Sequence, residues 1–467
     1  MTMTPSRRTV LKTSASGFGY LAFAGLSTWA SQSASAADDV VAASASGMLS
    51  PKSPHFPARA KRVIFLCMEG APSHVDTFDH KPKLAADHGK RFGAGFRGGN
   101  LLAPQWSFKQ HGQSGQWISE LFPEVAKHAD DLCILNGMQT DLPNHPQAFA
   151  QMHTGSFQFK RPSIGAWTLY GLGSENQELP GFITISPPAN NGGPVNYGSA
   201  FLPAVYQGTR IGFGGRAFGE TGMANTSNPR RGKAGQRLQL DFLQQLNQSA
   251  RDREVVSPEI DGVIESYELA FRMQGKIPEV LDLSKETEAT RRLYGIGDRA
   301  TEDFGRQCLL ARRFAEAGVR FIELTHGGWD QHRNLKEAHG RNAAAVDKPI
   351  AGLLADLKAR GMLKDTLIIW GGEFGRTPYA QGGDGRDHNS KGYSMWMAGG
   401  GVKAGLTYGR TDDYGYEAVE GKVHVHDWHA TVLHLLGLNH EKLTYRYAGR
   451  DMRLTDVKGR VVKEIVG

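Results

Sequence analysis

Cysteine is nearly absent. The three that occur, Cys67, Cys133 and Cys308, stand in the apolar contexts "IFLCME", "DDLCILN" and "RQCLLARR" with no metal-ligand spacing. This excludes a disulfide-stapled scaffold and predicts buried free thiols. No apolar run reaches the ~20 residues that span a bilayer, so no stable membrane span is expected. No block of like charge stands out either, and neither nucleic acid nor a membrane surface is implied as a partner. Internal repeats and low-complexity tracts are missing beyond residue 60. What remains, with 58 Gly and 21 Pro and 40% hydrophobic residues, is a globular protein rich in loops.

The N-terminus, "SRRTVLKTSASGFGYLAFAGLSTWASQSASAADD", places the pair Arg7 and Arg8 before a short, weakly apolar stretch and then Ala34-Ser35-Ala36. Such a pattern reads as a twin-arginine signal with a small-residue cleavage site, against the alternative of a chance arginine pair on an uncleaved anchor. A periplasmic or extracellular protein is the expectation. Loss of residues 1–36 lowers the formal charge from +7 to +4, with 51 basic and 47 acidic residues remaining. Residues 37–60, dominated by Ala, Ser and Pro, read as a linker, and residues 61–467 as a single domain.

Three short apolar runs, "KRVIFLCMEG", "GVRFIELTHGG" and "DTLIIWGGEFG", end in polar residues and glycines. Strands without polar alternation are those covered on both faces. "FGRQCLLARRFAEAG" and "DKPIAGLLADLKARGMLKD" carry apolar residues at helical spacing and stop at glycine. Residues 302–369 therefore predict helix, strand, loop, helix, strand. The fold class is α/β, with a mostly parallel central sheet and helices on both faces. The Gly/Pro/Asn-rich stretch of about 179–228 reads as an irregular insertion over the sheet, and "SYELAFRMQ" marks a later return to helix.

Open α/β sheets bind ligands beyond the carboxyl ends of their strands. The first run delivers Glu69 there, the second His326, Asp330 and His332, and the third Glu373. Acids and imidazoles gathered at one edge need a cation, and a divalent metal satisfies them with directional bonds. In an extended loop Asp330 and His332 point the same way. The mixed oxygen and nitrogen donors favour zinc, manganese or iron over calcium, with zinc or manganese the expected cofactor. Taken singly, Asp330 reads better as a turn cap and His332 as a backbone hydrogen-bonder; it is the set that favours the metal. His388 and Lys391, in "DHNSKGY", suit an oxyanion; Lys391 alone reads as a solvated lysine. Asp76 and Asp79 read as turn residues. "GGGVKA" matches a dinucleotide pattern without the helix that pattern requires, and leaves a nicotinamide enzyme little support. His424 and His426 alternate as on a packed strand edge.

The stretches "FLCMEGAPSHVDTFDHKP", "ARRFAEAGVRFIEL", "HGGWDQH", "LIIWGGEFGRTP", "DHNSKGY" and "YAGRDMRLTDVKG" resemble the domain-of-unknown-function 1501 family of exported bacterial proteins, from about Lys61 to Val466. That family is similar to the sulfatases of the alkaline phosphatase superfamily. The resemblance implies an alkaline phosphatase-like core and a metal-dependent hydrolase of phosphate or sulfate esters. It implies Glu69, Asp330, His332, Glu373 and His388 as metal ligands and Lys391 as an anion contact. Two departures stand out. Phe374 follows Glu373 where a second ligand is expected, and "HPQAFAQMHTG" puts His145 where sulfatases carry a Cys or Ser nucleophile. His145 is left with three chemical roles, nucleophile, general base or metal ligand, or a structural one at a helix start. A second function class is a catalytically degenerate binding protein for sulfated or phosphorylated glycans, with Tyr197, Phe201 and Tyr206 as sugar-facing aromatics.

Overall fold

The computed structural model describes residues 47–93, 98–212, 232–251 and 258–467. The expected twin-arginine signal of residues 1–36, residues 37–46 of the expected linker and residues 213–228 of the expected insertion lie outside the described residues. Two units are distinguished. One joins Met1–Met48 to Asn228–Val256, and its described part is chiefly the helix Lys233–Arg251, where Arg237 pairs with Asp241 one turn on at 2.8 Å. The other, Leu49–Ser227 with Ser257–Gly467, holds the sheet.

The sheet has nine strands: β1 (Arg62–Met68), β2 (Leu132–Gln139), β3 (Phe182–Ile185), β4 (Thr209–Ile211), β5 (Phe321–His326), β6 (Thr366–Gly371), β7 (Tyr393–Ala398), β8 (Leu406–Tyr408) and β9 (Val423–His424). Their spatial order is β8-β2-β7-β6-β1-β5-β3-β4, with β9 also on β2. Every strand runs parallel to β1 except β7, which is antiparallel to both β6 and β2. The helix-strand-loop-helix-strand order expected for residues 302–369 is present as helix α2 (Glu302–Glu316), β5, helix α3 (Leu335–Ala359) and β6.

Successive strand residues face opposite sides, so the near-continuous burial of β1, β5 and β6 requires cover on both. On one face Phe65 meets His153 of helix α1 (His145–Thr154) at 6.0 Å and Trp428 of helix α4 (Val425–Leu435) at 5.8 Å. On the other, Trp370 stands edge-on to Phe78 and Phe122 and parallel to Trp396, while His326 meets Phe304 of α2. Emptying such a site, as in Trp370→Ala, removes roughly 3–5 kcal/mol.

Two boundaries differ from the sequence reading. β3 and β4 fall inside the expected insertion and extend the sheet; four and three residues long between Gly- and Pro-rich flanks, they leave too little pattern to read. The expected linker is docked from Leu49 onward. Ser174 N–H donates to Leu49 O, Lys52 N–H to Leu172 O and Ala60 N–H to Leu435 O, with Leu49 and Ala60 buried. Backbone bonding, which composition does not encode, ties this segment down. No helix among the described residues is long and apolar enough to cross a membrane.

Candidate metal centre

Strands β1, β2, β5 and β6 end at one edge of the sheet, and antiparallel β7 begins there. That edge therefore receives Glu69 after β1, His145 at the first residue of α1 after β2, Asp330 and His332 after β5, and Glu373 after β6. His388 sits on the second strand of a hairpin, Gly375–Gln381 and Gly385–Asn389, that joins β6 to β7.

Four of these side chains meet. His145, Asp330, His332 and His388 each offer one ligand atom, all within 4.8 Å of one another. Asp330 Oδ1 lies 2.9 Å from His332 Nε2 and 3.2 Å from the Nε2 atoms of both His145 and His388. The far side of each ring faces an acceptor: Glu373 Oε1 at 2.5 Å from His145 Nδ1, Pro143 O at 2.9 Å from His388 Nδ1, and Gln381 Oε1 against His332 Nδ1. A carbonyl or carboxylate only accepts, so each Nδ1 carries a proton, the tautomer that aims an Nε2 lone pair at the Asp330 side when a metal is held there. The Nε2 atoms of His332 and His388 stand 2.9 Å apart, and the buried Nε2 of His145 has no properly directed hydrogen bond. Three lone pairs and a carboxylate oxygen converging on one point call for a cation. Bonds of about 2.0–2.2 Å to a shared ion fit this spacing, so the residues present suit a divalent metal.

In the metal-free protein a proton takes that place. Burial works against charge on His145, but the Asp330 carboxylate beside Nε2 and the Glu373 carboxylate bonded to Nδ1 outweigh it and raise the ring to about 9. Burial likewise opposes ionisation of Asp330, yet contacts from His145, His388 and Arg376 hold its carboxyl far below the usual carboxylate range.

The surrounding backbone is closely fitted. Gly70 has φ +102°, and a Cβ there would lie 2.7 Å from Asp330 N, so the β1 and β5 loops approach through a glycine. Its N–H donates to Glu373 Oε1 at 3.1 Å. A Cβ on Gly385 would lie 2.0 Å from the carbonyl carbon of His332, which puts the hairpin backbone directly on that loop. Arg376, 1% exposed, donates to Ala71 O, Gly70 O and Asp330 Oδ1 (2.6 Å for the last) and gives the aspartate a fixed cationic neighbour. Arg386 and Asp76, both fully buried, pair at 2.7 Å and pin the hairpin to the segment after β1.

The remaining expected residues stand elsewhere. Glu373 is fully buried behind His145 and is a partner of that ring, outside the four-residue set. Glu69 is also outside the set; its Oε1 accepts from Asn191 Nδ2 at 2.7 Å, and burial raises its pKa. Lys391 is exposed in the turn after the hairpin, with Nζ 5.2 Å from the Tyr416 ring centroid, and is outside the four-residue set. Arg376, three residues past Glu373 in "GGEFGRTP", is the cation at the cluster; neither its burial nor its contact was visible in the pattern. Asn191 and Gln381 had no sequence signal. His326 points to the opposite sheet face, where burial lowers its pKa to about 4. His424 ends β9 and caps α4, whose first turn holds His426. "GGGVKA" turns into strand β8. Of the three aromatics expected to face a sugar, Tyr197 and Tyr206 are 8% and 3% exposed, too little for stacking on a glycan.

A family model described as protein of unknown function (DUF1501) matches residues 60–466. The chain belongs to the DUF1501 family. No curated protein matches the sequence. Among solved structures, this DUF1501 member is similar to the PsFucS1 sulfatase from Pseudoalteromonas sp., at 14% identity over 82% of this chain and 69% of that one, with a TM-score of 0.36. It is similar to the lipoteichoic acid synthase LtaP from Listeria monocytogenes, at 10% identity over 87% and 78%, TM-score 0.37. It is also similar to the phosphonate monoester hydrolase SpPMH from Silicibacter pomeroyi, at 11% identity over 86% and 76%, TM-score 0.34.

Proposed function

We propose that this DUF1501 protein is an exported, metal-dependent hydrolase of phosphate or sulfate esters. In this reading His145, Asp330, His332 and His388 hold a divalent ion, zinc or manganese by donor chemistry, and the twin-arginine pair Arg7 and Arg8 directs export. The observation that carries it is the convergence of three Nε2 lone pairs on Asp330 Oδ1, each ring anchored through Nδ1. The preference for phosphate and sulfate esters rests on the resemblance of the strand-end motifs to sulfatases.

Once bound, such an ion polarises an ester oxygen and lowers the pKa of water. His145, engaged through both nitrogens, serves as a ligand and is not free to be a nucleophile. Glu373 holds the Nδ1 proton of His145 and so keeps Nε2 directed at the site, as carboxylates behind metal-bound histidines do. Arg376 cannot swing away, because the Gly70 and Ala71 carbonyls hold it. Its charge beside Asp330 keeps that carboxylate ionised for the ion. Lys391 has no part in this arrangement.

The test is a screen of sulfate esters, phosphomonoesters and phosphodiesters with protein as purified, after chelation, and after return of zinc or manganese. The expected result is turnover that chelation abolishes and metal restores. Turnover unaffected by chelation, or none with any ester despite bound metal, contradicts the proposal.

A further inference from the structure

Beneath the edge, inside the sheet-helix interface, a second set of ligand-type side chains meets. Cys67 of β1, His153 of α1 and Glu323 of β5 each place one donor atom within 4.8 Å of the others, and all three residues are at most 1% exposed. β1 and β5 are adjacent and parallel, with Phe65 opposite Glu323 and Cys67 opposite Thr325. Register therefore sends Cys67, Glu323 and Thr325 to one face, the face that α1 covers.

The hydrogen bonds leave this group incomplete. His153 Nδ1 donates to Phe149 O at 2.7 Å, which leaves Nε2 as a lone pair in the neutral ring. That Nε2 faces Glu323 Oε1, itself an acceptor, at 3.1 Å. Glu323 Oε2 and Thr325 Oγ1, both buried, have no hydrogen-bond partner. A carboxylate half unsatisfied in a dry interior is costly. Burial and the neighbouring carboxylates push the Cys67 thiol well above its ordinary range, so without a bound cation it is a neutral S–H. Two arrangements balance this core: a His153 imidazolium paired with Glu323, or a metal ion. The first supplies nothing to Glu323 Oε2, Thr325 Oγ1 or Cys67 Sγ. The second engages the sulfur, nitrogen and carboxylate donors together.

We propose that Cys67, His153 and Glu323 form a second, structural metal site, of zinc class by its sulfur, nitrogen and oxygen donors. On binding, the thiol proton leaves to solvent and a metal–thiolate bond replaces the S–H bond. A divalent ion with one thiolate, one carboxylate and one neutral imidazole is uncharged overall, which suits a dry interior. No solvent path is needed if the ion enters as the chain folds, as in other structural sites. The site is independent of the ester-hydrolase reading.

The test uses the full chain produced in cobalt-supplemented medium, with metal content and absorption spectra recorded. Cobalt bound to a thiolate gives a near-ultraviolet charge-transfer band that oxygen and nitrogen ligands do not. The expected result is two ions per chain and that band in the wild type, with the band and one ion lost in Cys67→Ser. Asp330→Asn is expected to keep the band and lose the other ion. Where Cys67→Ser fails to fold, His153→Gln serves in its place and also loses the band. A wild type without the charge-transfer band, or one whose band survives both substitutions, overturns the proposal. An edge cluster that holds no metal would instead appear as one ion per chain with the band intact, and failure of the hydrolase reading alone as two ions and the band with no ester turned over.

Discussion

The two histidine-carboxylate clusters use one device in opposite surroundings. In each, an imidazole gives its Nδ1 proton to an acceptor and turns Nε2 toward a carboxylate oxygen. Helix α1 supplies both, His145 at its first residue and His153 eight residues on, a rise of about 12 Å. The edge cluster draws four donors from three connections, and Asp330 keeps 42% of its side chain exposed. The core cluster draws three donors from two strands and a helix, with nothing open to solvent. An exposed set can exchange an ion and admit an ester; a sealed one can only be part of the folded state. In the readings proposed above, this difference in exposure assigns the edge set to catalysis and the core set to structure.

The largest effect expected from breaking this contrast is at the buried pair that holds the hairpin over the edge. Arg386→Met leaves Asp76 ionised and unpaired in the interior, and is expected to cost roughly 3–5 kcal/mol in chemical denaturation. His388 and the loop of His332 should loosen with it, so bound edge metal is lost as well. A smaller change sharpens the role of the partner behind His145. Glu373→Gln is expected to weaken edge-metal affinity 10–100-fold, the usual range for such neighbours, while the cobalt-thiolate band of the core stays unchanged. Equal loss at both sites would show that Glu373 supports the fold and does not orient one ring.

A third prediction concerns pH. In the metal-free protein His145 is raised from an ordinary 6.5 to about 9. A raised histidine stabilises the folded state fully below its unfolded pKa, and this contribution is lost as pH climbs through the folded value. Thermal scans of stripped protein are therefore expected to show stability falling between about pH 6.5 and 9. His145→Gln should flatten that fall. A wild-type profile identical to that of His145→Gln contradicts the assignment. The smallest effect is expected at Lys391, where Lys391→Ala removes an exposed cation above Tyr416 and should leave metal content and turnover within a factor of two, on the scale of a surface change of about ±0.5 kcal/mol.

The contrast also marks what the amino-acid order discloses. The three central strands are legible because doubly buried strands are short unbroken apolar runs. Their polar ends are legible because the carboxyl edge of such a sheet is where ligands gather. His145 was reached through a resemblance, since nothing local distinguishes it from any helix-start histidine. Its Glu373 partner was read as a ligand because a pattern shows that two groups share an edge, not which stands in front. Lys391 lies outside the cluster for a complementary reason: Asn389 and Ser390 separate it from His388 at the end of the hairpin, and its exposed side chain stands over Tyr416. The core cluster left no trace. Cys67 and Glu323 sit inside apolar strand runs and His153 inside a helical one, and they are joined by sheet register rather than spacing. The edge strand Thr209–Ile211 and its neighbour Phe182–Ile185 are hidden by the glycines and prolines around them.

The most direct measurement is a zinc titration of metal-stripped wild type and Asp330→Asn, the latter chosen to keep the shape of the side chain beside Arg376. The account predicts that the wild type takes up an ion at the edge and that the substitution weakens this uptake more than 100-fold, a loss of about 2.7 kcal/mol or more. Equal affinity in the two proteins would mean that the three imidazoles and Asp330 do not share a metal, and would contradict the account.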